Sequence, residues 1–160
     1  MTDPNIPSSV RLRIFVVENH PDTMQALGSY EGGRMLFIGL GTSMGSVFII
    51  DGTMVPLALG ELCICKGASF GRYLSLKGLK HYGIKYWRNF VSRAAVTLRA
   101  AFLADYVVLG GGNVRRLKDL PEGCRRGANE LAYIGGVRMW EQTDASPNLA
   151  LYCQPDTKTV

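Results

Sequence analysis

Apolar residues come in short glycine-punctuated blocks in the first half of the chain and at helical spacing in the second. Residues 10–17 contain the β-branched and aromatic run Ile14, Phe15, Val16 and Val17, stopped by Asn19, His20 and Pro21, which predicts a strand. Asp22 then reads as the cap of a short helix through Leu27, ended by Gly28. The apolar runs 34–38 and 47–50 enclose Gly39-Leu40-Gly41-Thr42-Ser43-Met44-Gly45-Ser46, the pattern of strand, glycine turn and strand. Asp51-Gly52 signals a further turn, and residues 53–59 predict a third antiparallel strand interrupted at Pro56.

Residues 60–83 are rich in glycine and lysine and read as loop, with a short helical stretch over 72–79. Over 84–103, Trp87, Val91, Ala94, Leu98 and Ala101 recur every three or four residues, predicting a helix whose apolar stripe packs on a sheet. A strand follows at 106–109, then a short helix over 114–120 ended by Pro121. Residues 129–141 predict a last helix with Tyr133, Val137 and Trp140 on one face, and 142–160 read as a polar tail.

Composition narrows the class. With 160 residues and 47% hydrophobic content the chain can bury one core. A net charge of +5 favours polyanionic partners without choosing among phosphorylated small molecules, polyphosphate, nucleic acid and lipid head groups. Lys66, Lys77, Lys80, His81, Lys85 and Arg88 form a basic stretch that can follow a phosphate chain or simply face solvent. No helix-turn-helix, zinc or base-stacking pattern accompanies it, so nucleic acid is not an expected partner. The polar, proline-containing residues 1–9 carry no secretory leader, and the cysteines at 63, 65, 124 and 153 lack metal-site spacing. The expectation is a reduced, cytoplasmic protein without a metal site of its own or a membrane span.

The glycine runs carry the candidate chemistry. Glycines at a turn reach positive φ and leave N–H groups uncovered, and Thr42, Ser43 and Ser46 add hydroxyls, so Gly39, Gly41, Thr42, Ser43 and Gly45 can hold an oxyanion such as phosphate. The alternative is an ordinary hairpin with an unusual glycine count. A second run, Gly110-Gly111-Gly112-Asn113, follows the strand 106–109. Ligands of open α/β sheets collect beyond the carboxyl ends of strands, so both runs can serve one ligand. A plain flexible exit from a buried strand also explains the second run.

With these pieces in order the chain resembles the C-terminal lobe of the ROK family of sugar kinases, most closely its polyphosphate-dependent glucokinases. The resemblance runs over 30–141. It is carried by Tyr30-Glu31-Gly32-Gly33-Arg34-Met35-Leu36-Phe37, Gly39-Leu40-Gly41-Thr42, the helix around Trp87, Asp105 through Asn113, and Ala128 through Gly136 with Trp140. It implies an α/β, actin-like or ribonuclease-H-like ATPase fold, C-terminal lobe only, with a mixed sheet and packed helices. The implied reaction is phosphoryl transfer from ATP or polyphosphate, with Mg2+, to the 6-hydroxyl of glucose. Gly39 to Gly45 would match the second phosphate motif, and Gly110 to Asn113 the run near the nucleotide or polyphosphate.

The chain departs from that pattern at named positions. The first phosphate motif and nearly all of the N-terminal lobe are absent, which implies a partner chain or a homo-oligomer if the lobe is to work. Where the family carries Asn-Asp, with the aspartate as catalytic base, Asn19 is followed by His20. The family's sugar-contacting glutamate and histidine fall on Ala58 and Glu61, and Ser43 replaces a glycine. His20 and the nearby Asp22 remain candidate catalytic groups, and Glu61 a sugar-binding candidate. A non-catalytic phosphate-binding protein is the alternative to an enzyme. Residues 10–27 also resemble the start of a response-regulator receiver domain, with Glu18 as an acidic residue at a strand end, so the origin of 1–29 stays open.

Overall fold

The computed structural model describes residues 13–14, 21–65, 67–127 and 130–143. Its main sheet has the order β1-β4-β3-β2-β7-β8, with β1 at Arg13–Ile14, β2 at Arg34–Leu40, β3 at Met44–Ile50, β4 at Thr53–Leu57, β7 at Tyr106–Gly110 and β8 at Cys124–Arg126. The strands β2, β3 and β4 form an antiparallel meander, as their spacing predicts. β7 runs parallel to both β2 and β8, so the sheet is mixed. β8 lies in a stretch to which the sequence assigns no element, because Cys124-Arg125-Arg126 has no apolar alternation to announce it. Of the strand expected over 10–17, Arg13 and Ile14 pair in parallel with Thr53 and Met54, and the other positions lie outside the described residues. Pro56 lies past that pairing, where β4 has no outer neighbour among the described residues, so its missing N–H costs no ladder bond there.

Residues 60–83 are more ordered than their glycine and lysine content suggests. They contain a 3-10 turn at Leu59–Glu61, a small hairpin of β5 at Cys63–Cys65 and β6 at Ala68–Ser69, the helix α2 at Phe70–Leu74 and the start of α3 at Leu76–Ala101. Ser69 and Ser75 cap α2 and α3 by accepting from the N–H groups of Arg72 and Gly78. Gly83, at φ 78° and ψ 162°, breaks α3 into two helical segments, and Tyr73, Tyr82 and Phe90 cluster across the break with centroids 4.8–5.5 Å apart. The short helix expected over 114–120 is reduced to a 3-10 turn at Val114–Arg116.

Two layers of apolar side chains cover the sheet. On one face Leu36, Ile38, Phe48, Val107 and Leu109 meet α3 through Trp87, Val91, Ala94 and Leu98. The Trp87 indole is fully buried and donates to the Leu74 carbonyl at 3.0 Å, tying α3 to α2. Ala101, predicted to share that stripe, is exposed, and Ala95 is buried instead. The opposite face packs Met35, Phe37, Val47, Ile49 and Val108 against Ala26 and Leu27 of α1 at Pro21–Gly28.

The last helix, α4 at Leu131–Thr143, packs on α1 through its glycines. A Cβ on Gly135 would overlap the Met24 carbonyl oxygen, and one on Gly28 the Leu131 carbonyl oxygen. The face that carries Tyr133 and Val137 turns outward, with Tyr133 86% and Val137 52% exposed; the Trp140 side chain lies outside the description. Backbone-to-backbone contact brings two helices closer than large side chains allow, so Gly135 rather than the aromatic stripe faces inward. Cys63 and Cys124 are free thiols, and no helix among the described residues is long and apolar enough to cross a membrane.

At the end of the sheet where β2 and β7 begin, Asp105 accepts from the Arg34 N–H and guanidinium, both at 2.8 Å. These hydrogen bonds hold the Asp105 carboxyl below the ordinary aspartate range. Arg99 donates to the carbonyls of Ala104, Asp105 and Glu122. α3 ends there in a Schellman turn, with the N–H groups of Leu103 and Ala104 bonded to Ala100 and Arg99. Leu103 takes the left-handed position, φ 50°, where glycine is usual.

Leu103→Gly is expected to raise stability by about 0.5–1 kcal/mol in urea unfolding, the relief of left-handed strain outweighing the added freedom of the unfolded chain. Asp105 has a depressed native pKa, so its contribution is present at neutral pH and is lost as pH falls through that value. The Tm difference between wild type and Asp105→Asn should therefore shrink below about pH 4.

Candidate functional site

The two glycine runs meet at the carboxyl ends of β2 and β7. Gly39 pairs with Gly45 on β3 and with Gly110 on β7, so three glycines stand side by side across three neighbouring strands. The reversal between β2 and β3 is shorter than predicted and comprises Gly41, Thr42 and Ser43, closed by the Gly41 N–H donating to the Ser43 carbonyl at 3.1 Å. Gly39 and Gly45 thus belong to the strands, and Thr42 and Ser43 stand exposed at the tip.

The α1 helix explains why the row carries no side chains. A Cβ on Gly39 or on Gly45 would overlap the Asp22 carboxylate, and a Cβ on Gly110 would stand 2.7 Å from Gln25 Oε1 and run into the Phe37 ring. These glycines were read as serving an anion; their immediate task is to let the first turns of α1 lie on the sheet. Asp22 lies in the first turn of α1, where the helix dipole favours a carboxylate. Gln25, one turn later on the same face, is 8% exposed and accepts the Gly111 N–H at 3.1 Å.

The triple-glycine loop is tied directly to the turn. The Asn113 N–H donates to the Leu40 carbonyl at 3.0 Å and its Nδ2 to the Gly41 carbonyl at 3.2 Å. Gly111, at φ 82°, packs on the Leu40 backbone, while Gly112 has open space about its Cα. The Leu76 N–H, at the start of α3, also donates to the Gly41 carbonyl at 3.0 Å. Beyond the loop, the Arg116 Nε donates to Asn113 Oδ1, and Arg126 donates to the carbonyls of Val114 and Leu117. Cationic groups therefore flank the glycines on the β8 side.

Of the residues picked from sequence, Gly39, Gly41, Gly45, Gly110, Gly111 and Asn113 come together with Asp22, and Thr42, Ser43 and Gly112 border them. Glu61 is exposed in the 3-10 turn after β4; its neighbour Gly60 packs on Met44 and Gly71. His20 lies outside the described residues. Gln25, Leu76 and Arg116 were missed. For Gln25 the available signal was its spacing of three from Asp22 on a helix; for the other two none stood out. Among the described residues no group of three His, Cys, Asp or Glu side chains could hold a metal ion; the carboxylate beside Gly39 and Gly45 is that of Asp22.

Gly45→Ala should destabilise by about 1–2 kcal/mol, and the cost should fall by at least half in an Asp22→Ala background; a double-mutant cycle in urea measures the coupling.

No protein-family model and no curated protein matches the chain. Solved structures do. The inorganic polyphosphate/ATP-glucomannokinase of Arthrobacter sp. strain KM has a TM-score of 0.63 at 24% identity, matching 76% of this chain and 55% of its own. The ROK hexokinase of Thermus thermophilus gives 0.55 at 15%, over 79% and 65%. The ROK glucokinase of Streptomyces griseus, solved with glucose and AMPPNP, gives 0.54 at 14%, over 74% and 66%. The chain thus spans between just over half and two thirds of the length of these proteins. With its mixed sheet, helices on both faces and glycine loops at the strand ends, the chain has the fold of the ROK sugar kinases.

Proposed function

We propose that the chain is the phosphate-donor lobe of a ROK-type sugar phosphotransferase. The observation that carries the reading is the meeting of two glycine loops beside one carboxylate, Asp22, on a fold whose neighbours are sugar kinases. Phosphoryl transfer asks a protein mainly to position reactants and neutralise charge. In this reading Thr42 and Ser43 donate hydroxyl hydrogen bonds to the phosphate to be transferred. The exposed Gly112 lets the rest of the donor, ATP or polyphosphate, approach the backbone closely, and Arg116 offsets its charge.

Asp22 is the acceptor for the proton of the sugar hydroxyl, the task that sequence comparison left between His20 and Asp22. One carboxylate beside phosphate oxygens also suits Mg2+, which binds through one or two carboxylates plus the substrate's phosphates and keeps several waters. Bound there, the ion would neutralise phosphate charge.

This chain alone offers few partners to a sugar. Ala58 offers no side-chain acceptor to a hydroxyl, Glu61 is exposed, and the neighbouring proteins are longer. A partner supplying a second lobe, whether another chain or a second copy, belongs to the proposal. Donor binding without turnover is the second reading, favoured by Ala58.

Calorimetric titration with tripolyphosphate and with ATP, each with Mg2+, tests the core claim. Binding should weaken steeply with added salt, and Thr42→Ala should cost about fivefold in affinity. In a coupled glucose-phosphorylation assay any turnover should vanish in Asp22→Asn, while donor binding measured without Mg2+ persists. A chain that binds neither donor overturns the proposal, and turnover by the isolated chain rules out the second reading.

A further inference from the structure

We infer that Gln25 is a positioning residue for the phosphate donor: its carboxamide sets the triple-glycine loop against the Gly41–Ser43 turn, so that one ligand meets both at fixed spacing. The inference rests on the donor-binding reading and adds to it the part that aligns the two loops. Gln25 is a polar side chain buried to 8% exposure between α1 and the sheet, a place that an apolar residue of equal size would fill at lower desolvation cost. Its carboxamide oxygen accepts the Gly111 N–H at 3.1 Å.

That N–H belongs to the residue at which the chain leaves β7 in a left-handed conformation, φ 82°. Glycine reaches several other conformations at little steric cost, so this one needs an external hold. The loop is then held at both ends. Gln25 grips Gly111, and the backbone and side-chain nitrogens of Asn113 grip Leu40 and Gly41. Between the grips stands Gly112, exposed and with nothing near its Cα, the residue a ligand can reach.

The far end of the same helical turn fixes the other loop. Asp22, three residues before Gln25 and on the same face, rests on Gly39 and Gly45, the strand ends of the hairpin. A rigid helical turn thus touches the hairpin through one side chain and the glycine loop through another, and their separation is set by helix geometry rather than by loop length. A phosphate chain spanning both loops senses that separation directly.

Two substitutions in the full chain test this. Gln25→Met keeps the volume and removes the acceptor; Gln25→Glu keeps an acceptor at the same reach. Hydrogen exchange over residues 109–114 should quicken about tenfold at Gly111 in Gln25→Met and return to slow in Gln25→Glu. Tripolyphosphate affinity with Mg2+, measured well below the Tm of every variant, should fall about five- to tenfold in Gln25→Met. A purely structural role would lower Tm and leave that affinity unchanged.

Exchange at Gly111 that does not change in Gln25→Met overturns the clamp while leaving donor binding intact. Faster exchange with wild-type affinity overturns the positioning role. A wild-type chain that fails to bind tripolyphosphate overturns the donor reading and the positioning role together, and the exchange data then report separately on whether the clamp exists.

Discussion

The contact on which the site depends is the seating of α1 on a row of three glycines, Gly45, Gly39 and Gly110. Helices usually pack through interlocking side chains. Here the first turns of α1 come closer because the strands offer bare backbone. A carboxylate and a carboxamide fill the gap that Cβ atoms would occupy. The arrangement exchanges apolar burial for polar placement, which is unfavourable to stability unless every polar atom finds a partner. The chain recovers stability at the other end of α1, where Ala26 and Leu27 join Met35, Phe37 and Val47 in a core layer. Gly28 and Gly135 there let α4 press close.

The opposite face of the sheet provides the rigidity that such a site needs. Trp87, Val91 and Leu98 of α3 are buried against Leu36, Ile38 and Val107, and truncating a residue like Trp87 typically costs about 3–5 kcal/mol. Where β2 and β7 begin, Arg34, Arg99 and Asp105 tie loop carbonyls and strand starts together. The sheet is thus pinned at the end away from the glycines, and its other end is left to loops held by a few hydrogen bonds. Sites on open sheets commonly follow this division between fixed strands and adjustable strand ends.

How much of this was legible depends on which interactions leave a trace along the chain. Periodicity marks side chains facing a continuous core, so the meander from Arg34 to Leu57, the stripe on α3 and the strand at Tyr106 were readable. That the two glycine runs lie together was readable because both follow apolar strands. Their physical reason was not, since the overlap with Asp22 and Gln25 involves residues some 15 to 85 positions away that no local pattern links. Polar and glycine contacts misled in the same way elsewhere. Tyr133 and Val137 share one face of α4 as their spacing indicates, but that face is exposed, because apolar spacing alone does not register what a missing side chain permits at Gly135. The stretch 60–83 looked like loop because its anchors, Phe70, Leu74 and Leu79, are spread among glycines and lysines. β8 was invisible because an edge strand of two arginines and a cysteine has no hydrophobic signature.

The break in α3 at Gly83 bears on where attraction for an anion originates. Peptide dipoles add only while they stay aligned, so the segment that begins beside Gly41 contributes the field of about two turns, not of all 26 residues. Three of its first four amides are already committed, Leu76 to the Gly41 carbonyl, Gly78 to the Ser75 hydroxyl and Leu79 to the Ser75 carbonyl. The longest helix among the described residues therefore acts on the turn as a mechanical buttress rather than as an electrode, and in the proposed function the guanidinium groups along the other border supply the pull on the donor's charge.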